Sequence, residues 1–360
     1  MLAVVLVAVF VFIGYYTYSF IQFANRIHTD PGESRLAPIA STDTPKPVET
    51  YVPPKWEGKE RVNLLLLGGD SRGAKEAPRS DAILVASVDP VTKQAALFSI
   101  LRDTYVKIPG RGQDRINAAL ALGGPELAMK TVSELIGLPI QYYVFTDFQG
   151  FIALIDSIGG IDFEVEKDMK YSDSADGHQY DINLKKGLQH LDGKMALQYV
   201  RFRHDARSDY TRTERQRNFL KAVAEKLQTS TSLLKLPKIL SAIDPYIETN
   251  LTVTEMLKLG ALGLEIGAQS IESIQLPPNE LVEPKNVNGA SVIGVNPAKL
   301  QQYVKEKLDM APDEPASGQR VENRGNGGAA GNLSAGAPPM TSSAATYSEV
   351  VGAGGSAGNR

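Results

Sequence analysis

Residues 62–69 read VNLLLLGG, residues 82–88 read AILVASV and residues 95–100 read AALFSI. A short unbroken apolar run closed by two glycines, as in 62–67 followed by Gly68 and Gly69, is the pattern of a strand buried on both faces. The second and third runs are separated by Asp89-Pro90, a turn signal. Downstream the signals alternate. Pro125, after Gly123-Gly124, opens a helical pattern through Leu127, Ala128, Thr131 and Leu135 that Gly137 closes. Residues 142–145 read as strand, 148–158 as helix, 161–165 as strand, 197–203 as strand, 211–227 and 252–264 as helix, and 270–276 as strand. Such interleaving predicts an α/β fold, a three-layer α-β-α sandwich around a central mixed sheet.

Working outward, the 360-residue chain is long enough for about two domains at roughly 150 residues each, or one larger domain with appendages. Hydrophobic residues make up 42% and charged residues 22%, enough for a sizeable core. A formal net charge of -3 excludes a general nucleic-acid binder, which needs a basic excess to displace counterions from phosphates. With no cysteine there is no disulfide, thiolate zinc site or cysteine nucleophile. The four histidines, His28, His178, His190 and His204, form no i,i+4 metal pair, which argues against a zinc hydrolase.

The averages hide uneven ends. Residues 1–13 are an unbroken apolar run, continued by Tyr15, Tyr16, Tyr18, Phe20, Ile21 and Phe23, and the first formal charge is Arg26. As a helix this spans ~30 Å of hydrocarbon, with an aromatic belt at its C-terminal half. The expectation is one transmembrane anchor over residues 1–25; a cleaved signal peptide is the alternative, disfavoured by the length of the run and the lack of a small-x-small cleavage site. Residues 26–59, with prolines at 31, 38, 45, 47, 53 and 54, read as an extended extracellular spacer. Residues 309–360, rich in Gly, Ala and Ser, read as a disordered tail. Residues 60–308 are left as the folded domain.

In such a sheet the chemistry sits where strands end in polar turns. Three such places stand out. After the first strand comes Gly68-Gly69-Asp70-Ser71-Arg72, and before the second Arg79-Ser80-Asp81. Asp70 and Asp81 flank neighbouring strand ends and can converge on a hard cation such as Mg²⁺, or simply form a turn and a cap. No Gly-Lys-Ser/Thr follows the glycines, so this is not a Walker motif. After the third strand comes Arg102-Asp103-Thr104. Then residues 201–217 hold six arginines, at 201, 203, 207, 212, 215 and 217, and no lysine. On a strand Arg201 and Arg203 share a face. Asp209 or Thr211 can cap the next helix, Thr211 with Glu214 fitting a capping box, and Arg212 and Gln216 are i,i+4 neighbours in its first turns. The guanidinium fork matches phosphate oxygens and a helix N-terminus favours an anion. A solvated basic face balanced by Asp205, Asp209 and Glu214 is the alternative. Together the three places suit a polyanion such as a pyrophosphate.

The strings LLLLGGDSRG (64–73), RSDAILVASVDP (79–90), FSILRDTYVKIPG (98–110), LKKGLQHLDGKMALQYVRFRHD (184–205) and DYTRTERQRNFLKA (209–222), in this order, resemble the LytR-CpsA-Psr family. The resemblance runs almost continuously over residues 63–227. It implies a bacterial, single-pass membrane enzyme with its catalytic domain on the extracellular face, a Mg²⁺-dependent phosphotransferase. The glycopolymer (wall teichoic acid, capsule or another secondary polysaccharide) would move from an undecaprenyl-pyrophosphate carrier onto peptidoglycan. It also implies Asp70 and Asp81 as Mg²⁺ carboxylates, Arg79, Arg102, Arg201, Arg203, Arg212 and Gln216 as pyrophosphate ligands, and Asp81, Arg102 and Asp209 as the catalytic set. Asp209 would orient Arg212 or assist proton transfer, while Arg72 and Asp103 fall in matching motifs. A polyprenyl pocket would be lined by helices such as those holding Leu127, Leu135, Phe151 and Leu154. Leu101, Ser208 and Arg217 depart from the family's frequent proline, glycine and second glutamine. Two readings compete, a lipid-pyrophosphate pyrophosphatase and a membrane-tethered transcriptional attenuator. The net charge and the lack of a helix-turn-helix pattern speak against the attenuator's binding of nucleic acid.

Overall fold

The computed structural model describes residues 2–36, 51–69, 79–172, 178, 180–204 and 209–309. Asp70, Ser71, Arg72, Arg207, Ser208 and the whole expected tail from residue 310 lie outside the described residues. The elements in chain order are α1 (Leu2–Ile27), β1 (Val62–Gly69), β2 (Ser80–Val88), β3 (Ala95–Ile100), β4 (Tyr105–Ile108), β5 (Gly112–Arg115), α2 (Ala118–Ile136), β6 (Tyr142–Asp147), α3 (Phe148–Ser157), β7 (Ile161–Val165), β8 (Met169–Tyr171), β9 (Ile182–Leu184) and β10 (Gly187–Leu191). They continue with α4 (Gly193–Arg201), α5 (Asp209–Leu227), α6 (Ser230–Leu234), α7 (Leu236–Ile243), β11 (Ile247–Thr249), α8 (Val253–Glu265), β12 (Ile271–Leu276), β13 (Glu283–Val287), β14 (Ala290–Gly294) and α9 (Pro297–Asp309).

Six strands form the central sheet in the order β11-β6-β1-β2-β3-β12. It is mixed: β1 runs parallel to β6 and β3 to β12, whereas β2 is antiparallel to both its neighbours and β11 to β6. The register lines up Tyr143, Leu65, Val85, Phe98 and Ile274 in one row across five strands. All five are buried, in one core with Val132 and Leu135 of α2 and Leu300 and Val304 of α9. The next row, Val144, Leu66, Leu84, Ser99 and Gln275, faces the other way. There lie α3, α4 and α5, which close a second core around Ile155, Leu197 and Phe219.

The apolar run of β1 was expected to be buried on both faces, but its burial alternates. Leu65 and Leu67 are buried and Leu64, Leu66 and Gly68 only partly so. The difference has a physical cause: the Leu66 face borders an open cavity. α2 begins earlier than expected, at Ala118, and breaks at Gly123 and Gly124, the latter at φ 71°, so the helix opened by Pro125 is its second half. Gly137 caps it at φ 73° as its left-handed terminus.

Residues 26–59 do not stand off the domain where they are described. His28 Nδ1 contacts the Leu251 carbonyl at 2.9 Å, the Ser34 hydroxyl donates to buried Glu248, and Trp56 is buried with Val62, Tyr142 and Leu251. The last turns of α1 pack too. Phe23 and Ile27 bury against Ile243, and Arg26 pairs with Asp244 at 2.7 Å. Among the described residues no helix is long and apolar enough to cross a membrane. The side chains of residues 1–6 and 8 are outside that description.

Candidate active site

Val144, Leu66 and Leu84 form the floor of a cavity of about 870 Å³ between the sheet and α3, α4 and α5. Phe148 and Phe151 of α3, Ile182 of β9, Leu197 and Val200 of α4 and Leu220 of α5 make its apolar walls. Its polar part gathers at the carboxyl ends of β1 and β6, where Gly68, Gly69, Thr146 and Asp147 meet Asp81 at the start of β2. Gly69 permits a close approach here, because a Cβ would stand 2.9 Å from the Phe145 ring.

Arginines converge on this end. Arg102 follows β3 in a turn closed by the Thr104 hydroxyl, which donates to the Leu101 carbonyl at 2.6 Å. Its Nη1 donates to Asp81 Oδ1 at 2.5 Å. Its Nε lies 3.7 Å from Asp103 and 3.8 Å from Asp209 Oδ1. Arg203 Nη2 and Arg212 Nη2 reach that same Asp209 oxygen at 3.7 and 2.5 Å. Asp209, buried, opens α5, and Arg212 sits one turn on with only 4% of its surface exposed.

Three guanidiniums thus surround Asp209, with donors to spare. The buried Arg102 Nε, Arg203 Nε and Arg212 Nε atoms have no hydrogen-bond partner among the described residues, while Arg212 Nη2 is held on Asp209. A buried donor left unsatisfied costs about 1–3 kcal/mol. Several such donors at one point form a site that is complete only when an anion occupies it. Burial, reinforced by the charges of Arg102 and Arg203, pulls the Arg212 guanidinium down to about 10, while Asp209 and Asp81 hold it up.

The sequence-predicted residues divide accordingly. Asp81, Arg102, Arg201, Arg203, Arg212 and Gln216 all line the cavity, and Asp209 stands behind its arginines. Arg79 is exposed beside β2 and is not among the described lining residues. Asp70 lies outside the described residues, so its pairing with Asp81 is not visible, and among the described residues no three His, Asp or Glu side chains form a metal cluster.

Residues 197–203 are not a strand. Asp192 caps α4, accepting from Met195 N at 2.8 Å, the helix runs to Arg201, and Phe202 after it is extended. Arg201 and Arg203 still reach one cavity, from a helix end and from the segment after it. Thr211 lies inside α5, not at its cap. Of the two helices expected to line the pocket, α3 does so through Phe148 and Phe151, whereas α2, which holds Leu127 and Leu135, belongs to the opposite core.

Phe148 and Tyr180 were missed. Their rings lie 5.0 and 4.9 Å from the Arg201 guanidinium, a cation–π clamp. Asp147 was missed too; it caps α3 by accepting from Gly150 N at 2.9 Å. Its Thr-Asp-Phe context at a strand-to-helix junction was the available signal.

Fold and site define an α/β protein with an arginine-ringed anion site opening into an apolar cavity. The chain belongs to the LytR_cpsA_psr family, whose pattern matches residues 24–309. It is 34% identical over 261 residues to "Regulatory protein MsrR" of Staphylococcus aureus, covering 71% of this chain and 76% of that protein. It is 40% identical over 258 residues to "Polyisoprenyl-teichoic acid--peptidoglycan teichoic acid transferase TagU" of Enterococcus faecalis, covering 70% and 81%. Among solved structures it resembles YwtF (TagT) of Bacillus subtilis with bound octaprenyl pyrophosphate lipid, with a TM-score of 0.53 and 27% identity, covering 75% of this chain and 97% of that one.

Proposed function

We propose that this protein is a membrane-anchored transferase of the cell envelope that moves a glycopolymer from a polyprenyl-pyrophosphate carrier onto peptidoglycan. The observation that carries the reading is the set of unsatisfied arginine donors around Asp209 at the polar end of a lipid-sized apolar cavity. The similarity to TagU and to the lipid-bound YwtF (TagT) supports the same substrate class.

On this reading the prenyl chain lies on Leu66, Leu84 and Val144, and the pyrophosphate is held by Arg102, Arg201, Arg203 and Arg212. A hydroxyl oxygen of the acceptor forms a new bond to the glycan-side phosphorus. The bond from that phosphorus to the bridging oxygen breaks, polyprenyl monophosphate leaves, and the hydroxyl proton passes to Asp81. The unpaired guanidinium donors receive the charge that develops on the leaving phosphate, electrostatic stabilisation fixed before the reaction begins. Asp209 is a positioning residue, since it touches the three arginines.

Mg²⁺ suits this donor set, because it seldom has an all-protein cage and shares its shell with phosphate oxygens; Asp81 and Asp70 would hold it. When bound it would neutralise phosphate charge. Chelation with EDTA is accordingly expected to abolish transfer and Mg²⁺ to restore it; full activity in EDTA removes the ion from the scheme.

The uncharged, mostly apolar composition of residues 2–25, with the first formal charge at Arg26, supports the anchor. The catalytic domain would then stand on the outer face of the membrane.

The deciding experiment incubates the full chain in detergent or vesicles with a polyprenyl-pyrophosphate glycan, with and without peptidoglycan. Glycan covalently attached to peptidoglycan, with release of polyprenyl phosphate, is expected. Equal release without the acceptor would make it a pyrophosphatase. In the same preparation Leu220→Asp places a carboxylate in the apolar wall. Burying that charge against a prenyl chain should weaken octaprenyl pyrophosphate binding by at least about tenfold, or 1.4 kcal/mol. Unchanged affinity would put the prenyl chain elsewhere.

A further inference from the structure

α5 separates two concavities. Arg212, Gln216 and Leu220 face the apolar cavity, whereas Tyr210, Glu214 and Arg217 line a second groove of about 490 Å³ on its other side. The sheet row that floors the cavity through Leu66 and Leu84 continues beneath α5 as Ser99 and emerges in the groove as Gln275. α9 closes the far side with Tyr303 and Lys307.

This groove has none of the chemistry of a lipid site. Arg217 is only 9% exposed, yet its Nη1 has no hydrogen-bond partner among the described residues. Glu214 lies near enough to act on its charge. Lys307 Nζ stands 5.9 Å from the Tyr303 ring and 3.4 Å from Glu272. A buried guanidinium with a spare donor selects a carboxylate or phosphate oxygen. The surrounding Glu214, Glu272 and Glu280 repel a polyanion, however, and the amides of Gln275 and Asn279 suit peptide groups. The half-buried ring of Tyr303 adds an aromatic contact for a sugar.

We infer that this groove is the acceptor subsite, holding a peptide-substituted glycan strand with a peptide carboxylate on Arg217. The inference rests on the transferase reading and adds to it the place where the acceptor lies. The geometry supports the pairing, since Tyr210 and Thr211 lie within one turn of Asp209 and Arg212, and a helix is about 10 Å across. The groove and the phosphate site therefore share the first turns of α5.

The test uses full chain and a soluble disaccharide-peptide fragment of peptidoglycan. Its direct binding is measured by calorimetry, and its KM as acceptor is measured beside the KM of the lipid donor. Arg217→Gln is expected to weaken fragment binding and raise acceptor KM by about tenfold, the scale of one lost charged hydrogen bond, with donor KM unchanged. Tyr303→Ala, on a different element, should act in the same direction, so a folding defect at position 217 does not decide the matter. Unchanged fragment affinity in both variants, or an equal rise in donor KM, overturns the acceptor subsite. If no transfer occurs in any form but fragment binding still depends on Arg217, the transferase reading fails and the groove stands as a peptidoglycan-binding site.

Discussion

Arg212→Ala is expected to lower glycan transfer by about 10²–10³-fold, the loss that follows removal of one preorganised donor from a charge-stabilising site. Arg212 is the most buried of the three guanidiniums on Asp209, and its Nε has no hydrogen-bond partner among the described residues. Lysine at this position should not restore the rate, because a point charge lacks the planar fork that two phosphate oxygens require. Stability should stay nearly level. Burial depresses the guanidinium to about 10, so the folded state holds this proton less tightly than the unfolded chain. The cost of the buried charge is therefore present in full below about pH 10 and relieved only above it. Without the arginine that cost disappears, but buried Asp209 loses its nearest cation and keeps Arg102 and Arg203 only at 3.8 and 3.7 Å, so the net change in Tm near neutral pH should be small. A large loss of activity with little change in stability is expected of a site held in readiness for an anion. Transfer at the native rate by Arg212→Ala would sink the assignment; a large fall in Tm would show that Arg212 is a structural group.

Much of this was legible from the sequence, for identifiable reasons. The apolar runs of β1, β2 and β3 and the glycines that follow β1 mark strands and their ends by composition alone. Arg102 was visible because a charge after an apolar run has to sit at a strand terminus. The arginine cluster was visible as a cluster but not as a division of labour. Arg201, Arg203 and Arg212 face the cavity, Arg215 is locked inside the protein and Arg217 faces away, and only the winding of α5 and the end of α4 determine this. Periodicity misled over residues 197–203, where the alternation of Leu197, Gln198, Tyr199 and Val200 fits a strand, but Asp192 supplies the cap that starts a helix. The helix holding Leu127 and Leu135 was expected on the pocket side and lies on the other, because an amphipathic pattern shows that a helix has a buried face without showing which side of the sheet it covers. The packing of residues 28–36 was hidden for another reason. It depends on Glu248, a distant buried carboxylate that accepts from Ser34, from Arg35 N at 3.2 Å and from the Tyr143 hydroxyl at 2.8 Å.

Glu166→Ala should cost about 3 kcal/mol of stability, measured by urea unfolding at neutral pH. Arg215 is 3% exposed, its Nε donates to Glu166 at 2.6 Å and its Nη1 to the Phe202 carbonyl at 3.1 Å. Removing the carboxylate takes its charged partner from a buried cation that keeps the Phe202 carbonyl, a defect of about 3–5 kcal/mol where both groups of the pair are buried. The lower figure applies because the Glu166 side chain is 46% exposed and solvent screens the pair. The pH dependence gives a second signature. Burial pushes the Glu166 carboxyl up, but hydrogen bonding and charge from Arg215 outweigh it and hold the group below its ordinary 4.5. Its contribution is present above about pH 4.5 and lost as pH falls through the lower folded value, so native and variant stabilities should converge on acidification. A difference that does not change with pH would mean that packing, not the ion pair, was lost. The pair also bears on the reaction without touching substrate. Arg215 fixes the Phe202 carbonyl, and the next residue is Arg203, whose guanidinium reaches Asp209. Loosening Arg215 should therefore lower transfer by less than loss of Arg212 does, because Arg203 is misplaced for part of the time but not removed. A Glu166→Ala variant with native activity would show that the Arg203 segment is held by other contacts.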